Sequence, residues 1–274
     1  VFSVLILTLN EEHNLPACIG SLAGVEDIHV LDSGSTDRTH EVARALGAKV
    51  SVNRFENFAQ QRNHAHERLP FRYEWVFHLD ADERMTPALV AELRAVAEAE
   101  MKNHVHEGYW AAPKMYWEGR WVPRCTDYPA WQARFAHAPT FRFVETGHGQ
   151  RETPGAKLGY LKNNYEHDMS ASGVEDWLEK HRRYARREAE AWSLHRRPVS
   201  SELRSLLDRD PLLRRRALKR LSYHLPARPF ARFIYQYFLR GGFLDGAAGW
   251  RYCRLLARYE GFAAEEFRRV RRGG

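Results

Sequence analysis

The sequence predicts an α/β fold, with a mostly parallel sheet in residues 1–170 followed by a basic helical region over residues 171–274. Short apolar runs rich in β-branched residues alternate with helical patterns over roughly the first hundred residues. Aromatic, irregular strand-like pieces come next, and from Gly173 the chain turns helical and basic. With 274 residues, 44% hydrophobic and 12% aromatic, the chain can bury a substantial core, which excludes global disorder.

Phe2–Leu9 is a short, continuous apolar run of the kind found in buried parallel strands, and Glu26–Asp32, Lys49–Asn53 and Trp75–Leu79 read the same way. Helical patterns lie between and after them at Asn14–Leu22, Thr36–Leu46, Asn57–Leu69 and Pro87–Glu100. Gly108–Trp117, Arg120–Pro123, Trp131–Ala136 and Leu158–Tyr165 are strand-like. The stretch around Trp117 also suits a hairpin turn among core aromatics. Val174–His195 forms a long helix, Glu202–Tyr223 a leucine-rich basic one, and Trp250–Arg272 a final amphipathic helix. Phe230–Leu239 is aromatic, and Gly241–Gly249 is glycine-rich.

No apolar run approaches the ~20 residues of a transmembrane helix. Cys18, Cys125 and Cys253 form neither a disulfide framework nor a metal-ligand spacing, and no signal pattern opens the chain. A soluble, cytoplasmic protein is expected. The net charge of +7 divides into −5 for residues 1–150 and +12 for residues 151–274. An acidic catalytic half and a basic half that meets something anionic fit this split, as does a merely solvated helical surface.

Ligands of open α/β sheets bind beyond the carboxyl ends of the strands. Thr8-Leu9-Asn10-Glu11-Glu12 follows the first strand, Asp32-Ser33-Gly34-Ser35-Thr36-Asp37 the second, and Asp80-Ala81-Asp82-Glu83 the fourth. No G-x-G-x-x-G or P-loop is present, which argues against a dinucleotide dehydrogenase or an NTPase. Clustered carboxylates repel unless a cation neutralises them, and hard oxygen ligands suit Mg²⁺ or Mn²⁺ completed by a diphosphate. Asp32 or Asp37 alone could serve as a helix N-cap.

These motifs in this order resemble the family 2 glycosyltransferases of GT-A (Rossmann-like) fold. The resemblance continues through Gln61-Arg62-Asn63, Lys114–Gly119, Trp131-Gln132-Ala133-Arg134 and Phe238–Gly246. The later motifs are most similar to the lipopolysaccharide-core β-glucosyltransferase subgroup. The resemblance implies that Asp32 meets the uracil or ribose of a UDP-sugar, with Thr8, Asn10, Glu11 and Arg62 close by. Asp82 would hold a divalent metal bridging the diphosphate, and Asp80 would contact the ribose or the metal.

Inverting transfer needs a carboxylate base for the acceptor hydroxyl. The family places it downstream of D-x-D, followed by a histidine that completes the metal or phosphate site. Asp127, Glu145 and Glu152 are the candidates, with His148 and His167 as the histidines. Glu152 followed by His167 fits that order best, although Glu152 also suits a surface salt bridge. Trp131, Gln132 and Arg134 would lie on the acceptor side, where rings stack on sugar faces and polar groups meet hydroxyls; Trp131 also reads as core.

Leu212–Arg240 carries eight Lys/Arg and no acid among Leu, Phe and Tyr. That composition suits an anionic membrane surface, or an aromatic face packed against protein. It carries none of the nucleic-acid-binding motifs. The expectation is therefore a metal-dependent hexosyltransferase moving glucose from a UDP-sugar to the lipopolysaccharide inner core or another lipid-linked saccharide, at the inner face of the cytoplasmic membrane. Transfer to a polyprenyl phosphate, or a non-catalytic basic membrane adaptor, are the alternatives.

Overall fold

A computed structural model describes residues 1–146, 149–194, 198–208, 210–222 and 227–272. It divides into two compact units, one of residues 1–123 and 127–171, the other of residues 124–126 and 172–274. The second unit thus recruits Arg124–Thr126 from the middle of the chain, and the division falls one residue after the expected 170/171 boundary.

The first unit begins β1 (Ser3–Thr8), α1 (Leu15–Gly20), β2 (Ile28–Asp32), α2 (Thr39–Ala45), β3 (Lys49–Val52), α3 (Phe58–Arg68) and β4 (Trp75–Asp80). It continues with β5 (Glu83–Arg84), α4 (Pro87–Lys102), β6 (Gly108–Ala111), β7 (Pro113–Trp117), β8 (Arg120–Trp121) and β9 (Gln132–His137). β10 (Phe143–Thr146), β11 (Gly149–Glu152), β12 (Leu158–Tyr160) and β13 (Tyr165–Asp168) complete it. Among the described residues the main sheet has seven strands in the order β12-β6-β9-β4-β1-β2-β3. β1, β2, β3 and β4 run parallel, and β9 is antiparallel to both its neighbours.

β1 is buried along its whole length. Val4 and Ile6 enter a core that includes Leu15, Leu89 and Leu93, whereas Leu5 and Leu7 face Ala65 of α3 and Leu69 just after it. Helices thus cover both faces of the strand, which explains an unbroken apolar run in place of an alternating one. The Asn57 side chain caps α3 by accepting from the Gln60 N–H, and Thr86 caps α4 ahead of Pro87.

Two strand-like stretches divide between sheets. Gly108–Trp117 breaks at Ala112 into β6, in the main sheet, and β7, in a four-stranded sheet ordered β5-β13-β7-β8. Leu158–Tyr165 likewise separates into β12 and β13. β7 and β8 form a hairpin whose two turn residues, Glu118 and Gly119, have φ of 48° and 73°. That is the left-handed pair a two-residue hairpin turn requires. Trp117 beside it is fully buried.

The second unit contains α5 (Gly173–Leu194), α6 (Val199–Ser205), α7 (Pro211–Ser222), α8 (Arg228–Ile234) and α9 (Gly246–Arg272). The expected helix over Glu202–Tyr223 is broken between α6 and α7, and α9 starts before Trp250. Ala185 and Ala189 of α5 pack on Ala263 and Phe267 of α9, and Tyr259 donates to Glu188 at 2.7 Å.

Candidate active site

Sheet register lines up the strand-end residues. Thr8 pairs with Asp32, and Leu7 with Asp80, so three strand ends meet at one rim. The two rim loops clasp each other. The Asn10 N–H donates to Ser35 Oγ at 2.7 Å, its side-chain oxygen accepts from the Thr36 N–H at 2.8 Å, and the Glu11 N–H donates to Thr39 Oγ1 at 2.8 Å. Glu11 also accepts from Asn14 at 2.7 Å. Gly34 turns the second loop at φ 99°, a conformation that favours glycine.

Asp32 is the hub of that clasp. Its carboxylate accepts from Thr8 Oγ1 at 2.8 Å, from Ser35 Oγ, and from the N–H groups of Gly34 and Ser35 at 2.8 and 2.7 Å. His40 lies 2.8 Å away on the same group. Burial opposes its ionisation, but the bonds from Ser35, His40 and Thr8 outweigh that and lower its pKa to about 2. The side chain is fully enclosed. Asp32 therefore shapes the rim on which the two loops meet.

The Gln61-Arg62-Asn63 stretch of α3 is a three-way tie. Gln61 bonds to Asn53, at 2.8 Å from its side chain, and to Ser33. Arg62 donates to Asp80 Oδ1 at 2.9 Å. Asn63 both donates to and accepts from the Phe143 backbone at 2.9 Å. Arg62 is buried, and its Nε and Nη1 find no partner among the described residues.

A β-bulge positions the second arginine. β6 pairs Tyr109 with Phe135 but Trp110 with Ala133, so Arg134 is the extra residue on β9. Ala133 and Ala136 therefore pack together on one side, while Phe135 faces the main core. From the bulge, Arg134 Nη2 donates to Asp80 Oδ2 at 3.1 Å and Glu83 Oε1 at 2.8 Å, and its Nε lies 3.2 Å from the Tyr165 hydroxyl. Glu83 Oε2 also accepts from the Asp80 N–H at 2.8 Å. Burial pushes the Glu83 carboxyl up against the pull of Arg134. For Asp80 burial acts the same way, but Arg134 and Arg62 outweigh it and hold the carboxyl well below its usual range.

This network changes the reading of the D-x-D motif. Each Asp80 oxygen already accepts from a buried guanidinium, so its charge is neutralised within the chain. Asp82, expected to hold the metal, is placed differently from Asp80. Asp82 lies at the rim with His167, whose Nε2 is 3.3 Å from Asp82 Oδ2. β13 delivers His167 by pairing it with Glu83 of β5. Burial works against charge on His167, but Asp82 foremost, with Glu83 and Asp80, raises its pKa to about 9. An aspartate and an imidazole side by side suit a divalent cation completed by diphosphate oxygens. Among the described residues no cluster of three or more ligating side chains is present.

Asp80 also lines a cavity of about 520 Å³. Glu152, half-buried, faces the same space with Arg62, Arg134 and Gln132. One wall is aromatic. Tyr160 lies 4.7 Å from Trp110 and 5.0 Å from Trp131, ring centre to ring centre, and Phe58 and Phe143 add to the lining. Glu145 is exposed on β10, where Asn57 donates to it at 3.3 Å, and Asp127 is exposed; neither lines the cavity. His148 lies outside the described residues. Arg134, expected on the acceptor side, lines the cavity while donating to Asp80 and Glu83, with Gln132 accepting from it at 3.0 Å. Trp131 is 44% exposed, so the core alternative for it does not hold.

The sequence profile of Glycosyl transferase family 2 matches residues 3–149, more than half of the chain. The chain belongs to family 2 of the glycosyltransferases. Over 95 residues it is 34% identical to an uncharacterized glycosyltransferase of Rickettsia typhi, covering 34% of this chain and 32% of that one. Over 92 residues it is 35% identical to the lipopolysaccharide core biosynthesis glycosyltransferase LpsC of Rhizobium meliloti, covering 32% of this chain and 33% of LpsC. These matches span about a third of each relative. Among solved structures, residues 1–349 of S. aureus TarS align with 100% of this chain and 92% of that one, at 17% identity and a TM-score of 0.44.

Proposed function

We propose that this family 2 glycosyltransferase moves a hexose, glucose by its resemblance, from a UDP-sugar to a hydroxyl of a lipopolysaccharide-core saccharide, with inversion. The observation that carries this reading is the shared cavity of Asp80 and Glu152 behind an aromatic wall. Glu152 is the one of the three candidate bases that reaches this space. It takes the proton of the acceptor hydroxyl as that oxygen bonds to the anomeric carbon, and the bond from that carbon to the diphosphate breaks with its electrons leaving on UDP. Trp110, Trp131 and Tyr160 offer ring faces to the acceptor sugar. Arg62, with unmet N–H groups beside Asp80, supports a nucleotide on that side. A divalent metal, Mg²⁺ or Mn²⁺, held by Asp82 and His167 would neutralise charge growing on the leaving diphosphate.

UDP release from a panel of UDP-sugars, with and without Mg²⁺ or Mn²⁺ and with extracted lipopolysaccharide core as acceptor, tests this reading. Release from one sugar that requires both metal and acceptor is expected. No release from any sugar, together with no binding of UDP, would overturn it.

A further inference from the structure

The Phe238–Gly246 segment, F-L-R-G-G-F-L-D-G, turns its polar side chains inward and its apolar ones outward. Buried Asp245 accepts from the N–H groups of Arg124 and Cys125 at 3.0 and 2.8 Å. Arg240 donates to the Thr126 carbonyl at 2.8 Å, and nearby Gln236, also buried, donates to the Cys125 carbonyl at 2.7 Å. A Cβ at Gly242 would lie 2.8 Å from the Gln236 carbonyl oxygen, so this packing admits only glycine. These ties hold a rigid turn between a π-helix, Tyr235–Leu239, and α9.

On the outside of that turn Phe238, Leu239, Phe243 and Leu244 are 54%, 75%, 48% and 55% exposed. Phe238 and Phe243, each followed in sequence by one of the leucines, meet through Tyr237, which lies 5.1 Å from Phe238, 6.2 Å from Phe243 and 5.2 Å from Trp250, ring to ring. Soluble proteins rarely expose a contiguous apolar patch without a use for it. The charge around it selects the partner. The exposed Arg254 guanidinium lies 5.8 Å from the Trp250 ring, exposed Arg124 lies beside Gly241, and the acid of the turn, Asp245, is spent on backbone N–H groups. A second copy of the chain would set cation against cation, and nucleic acid would match the cations but not the aliphatic tip. An anionic lipid surface accommodates both.

We propose that Phe238, Leu239, Phe243 and Leu244 form a knob that enters the headgroup boundary of a bilayer, with the surrounding basic side chains on anionic lipid. Among the described residues no helix is long and apolar enough to cross a membrane. The inference is independent of the catalytic reading.

The test is co-sedimentation of the full chain with vesicles of phosphatidylcholine, alone or with roughly a third phosphatidylglycerol. Binding should require the anionic lipid. The double variant Leu239→Ser/Leu244→Ser, with unchanged circular dichroism, should bind at least about tenfold more weakly, since each leucine loses apolar burial. Phe243→Leu, which keeps an apolar tip, should bind like the parent. Equal binding to neutral vesicles would overturn the proposal, as would undiminished binding by the double variant. So would a concentration-dependent dimer that the double variant abolishes, because a second copy would then cover the patch.

Discussion

His167 Nε2 lies 3.3 Å from Asp82 Oδ2, across 85 positions of sequence. The contact exists because β13 pairs antiparallel with β5, setting His167 opposite Glu83, the residue after Asp82. Its raised pKa of about 9 has two consequences. A metal that binds this imidazole must displace its proton, so Mn²⁺ affinity in the presence of UDP should climb between pH 7 and 9. Calorimetry in buffers of different ionisation heat should register the released proton, and His167→Ala should abolish it.

The same shift bears on the metal-free protein. A histidine whose folded pKa exceeds its unfolded value of about 6.5 contributes stability that is fully present below that value. The contribution fades as pH rises through about 9. The melting temperature without metal should therefore fall between pH 7 and 9, and more steeply than in His167→Ala.

Asp32 behaves in the opposite sense. Its folded pKa of about 2 lies below the unfolded value, so it stabilises the fold above about pH 4 and loses that effect as pH falls toward 2. Asp32→Asn should lower stability at pH 7, and the loss should narrow toward pH 2 in acid denaturation followed by circular dichroism.

Arg134 joins the buried Glu83 carboxylate to half-buried Asp80, so Arg134→Met would leave the two without a shared counter-charge. Removing one partner of a buried ion pair costs about 3–5 kcal/mol. Urea denaturation should show a loss of that order. Adding Glu83→Gln to Arg134→Met should recover part of it, because one stranded charge is then gone.

Tyr160 joins Trp110 and Trp131 into one aromatic wall yet is 59% exposed, so its removal should spare the fold. Tyr160→Ala should raise the KM for the saccharide acceptor about fivefold, in line with roughly 1 kcal/mol per aromatic contact. Its affinity for UDP, followed by calorimetry, should stay unchanged.

The strands and rim motifs of the first unit were legible because their signals are local. An apolar run such as Phe2–Leu9 declares a buried strand, and a carboxylate just after it declares a strand end. What stayed hidden depends on partners far away in sequence. Arg134 reads as one residue of a W-Q-x-R stretch, and only the register shift against Trp110 turns it toward Asp80 and Glu83. β5, with two residues, and β10 and β11, with four each, are too short for a periodic pattern. The aromatic wall draws Trp110, Trp131 and Tyr160 from separate segments, so no spacing announces it. Glu83 did carry a signal, as a third acid directly after D-x-D, and its burial explains why it braces the site instead of facing solvent.

Glu152→Gln tests the central claim most directly, since it keeps the shape of the cavity wall while removing the base. Acceptor-dependent UDP release should fall by about 10²–10⁴-fold with metal-dependent UDP binding intact, while Glu145→Gln and Asp127→Asn should stay near the parent rate. Transfer at the parent rate by Glu152→Gln would contradict the assignment of Glu152 as the base that activates a sugar hydroxyl.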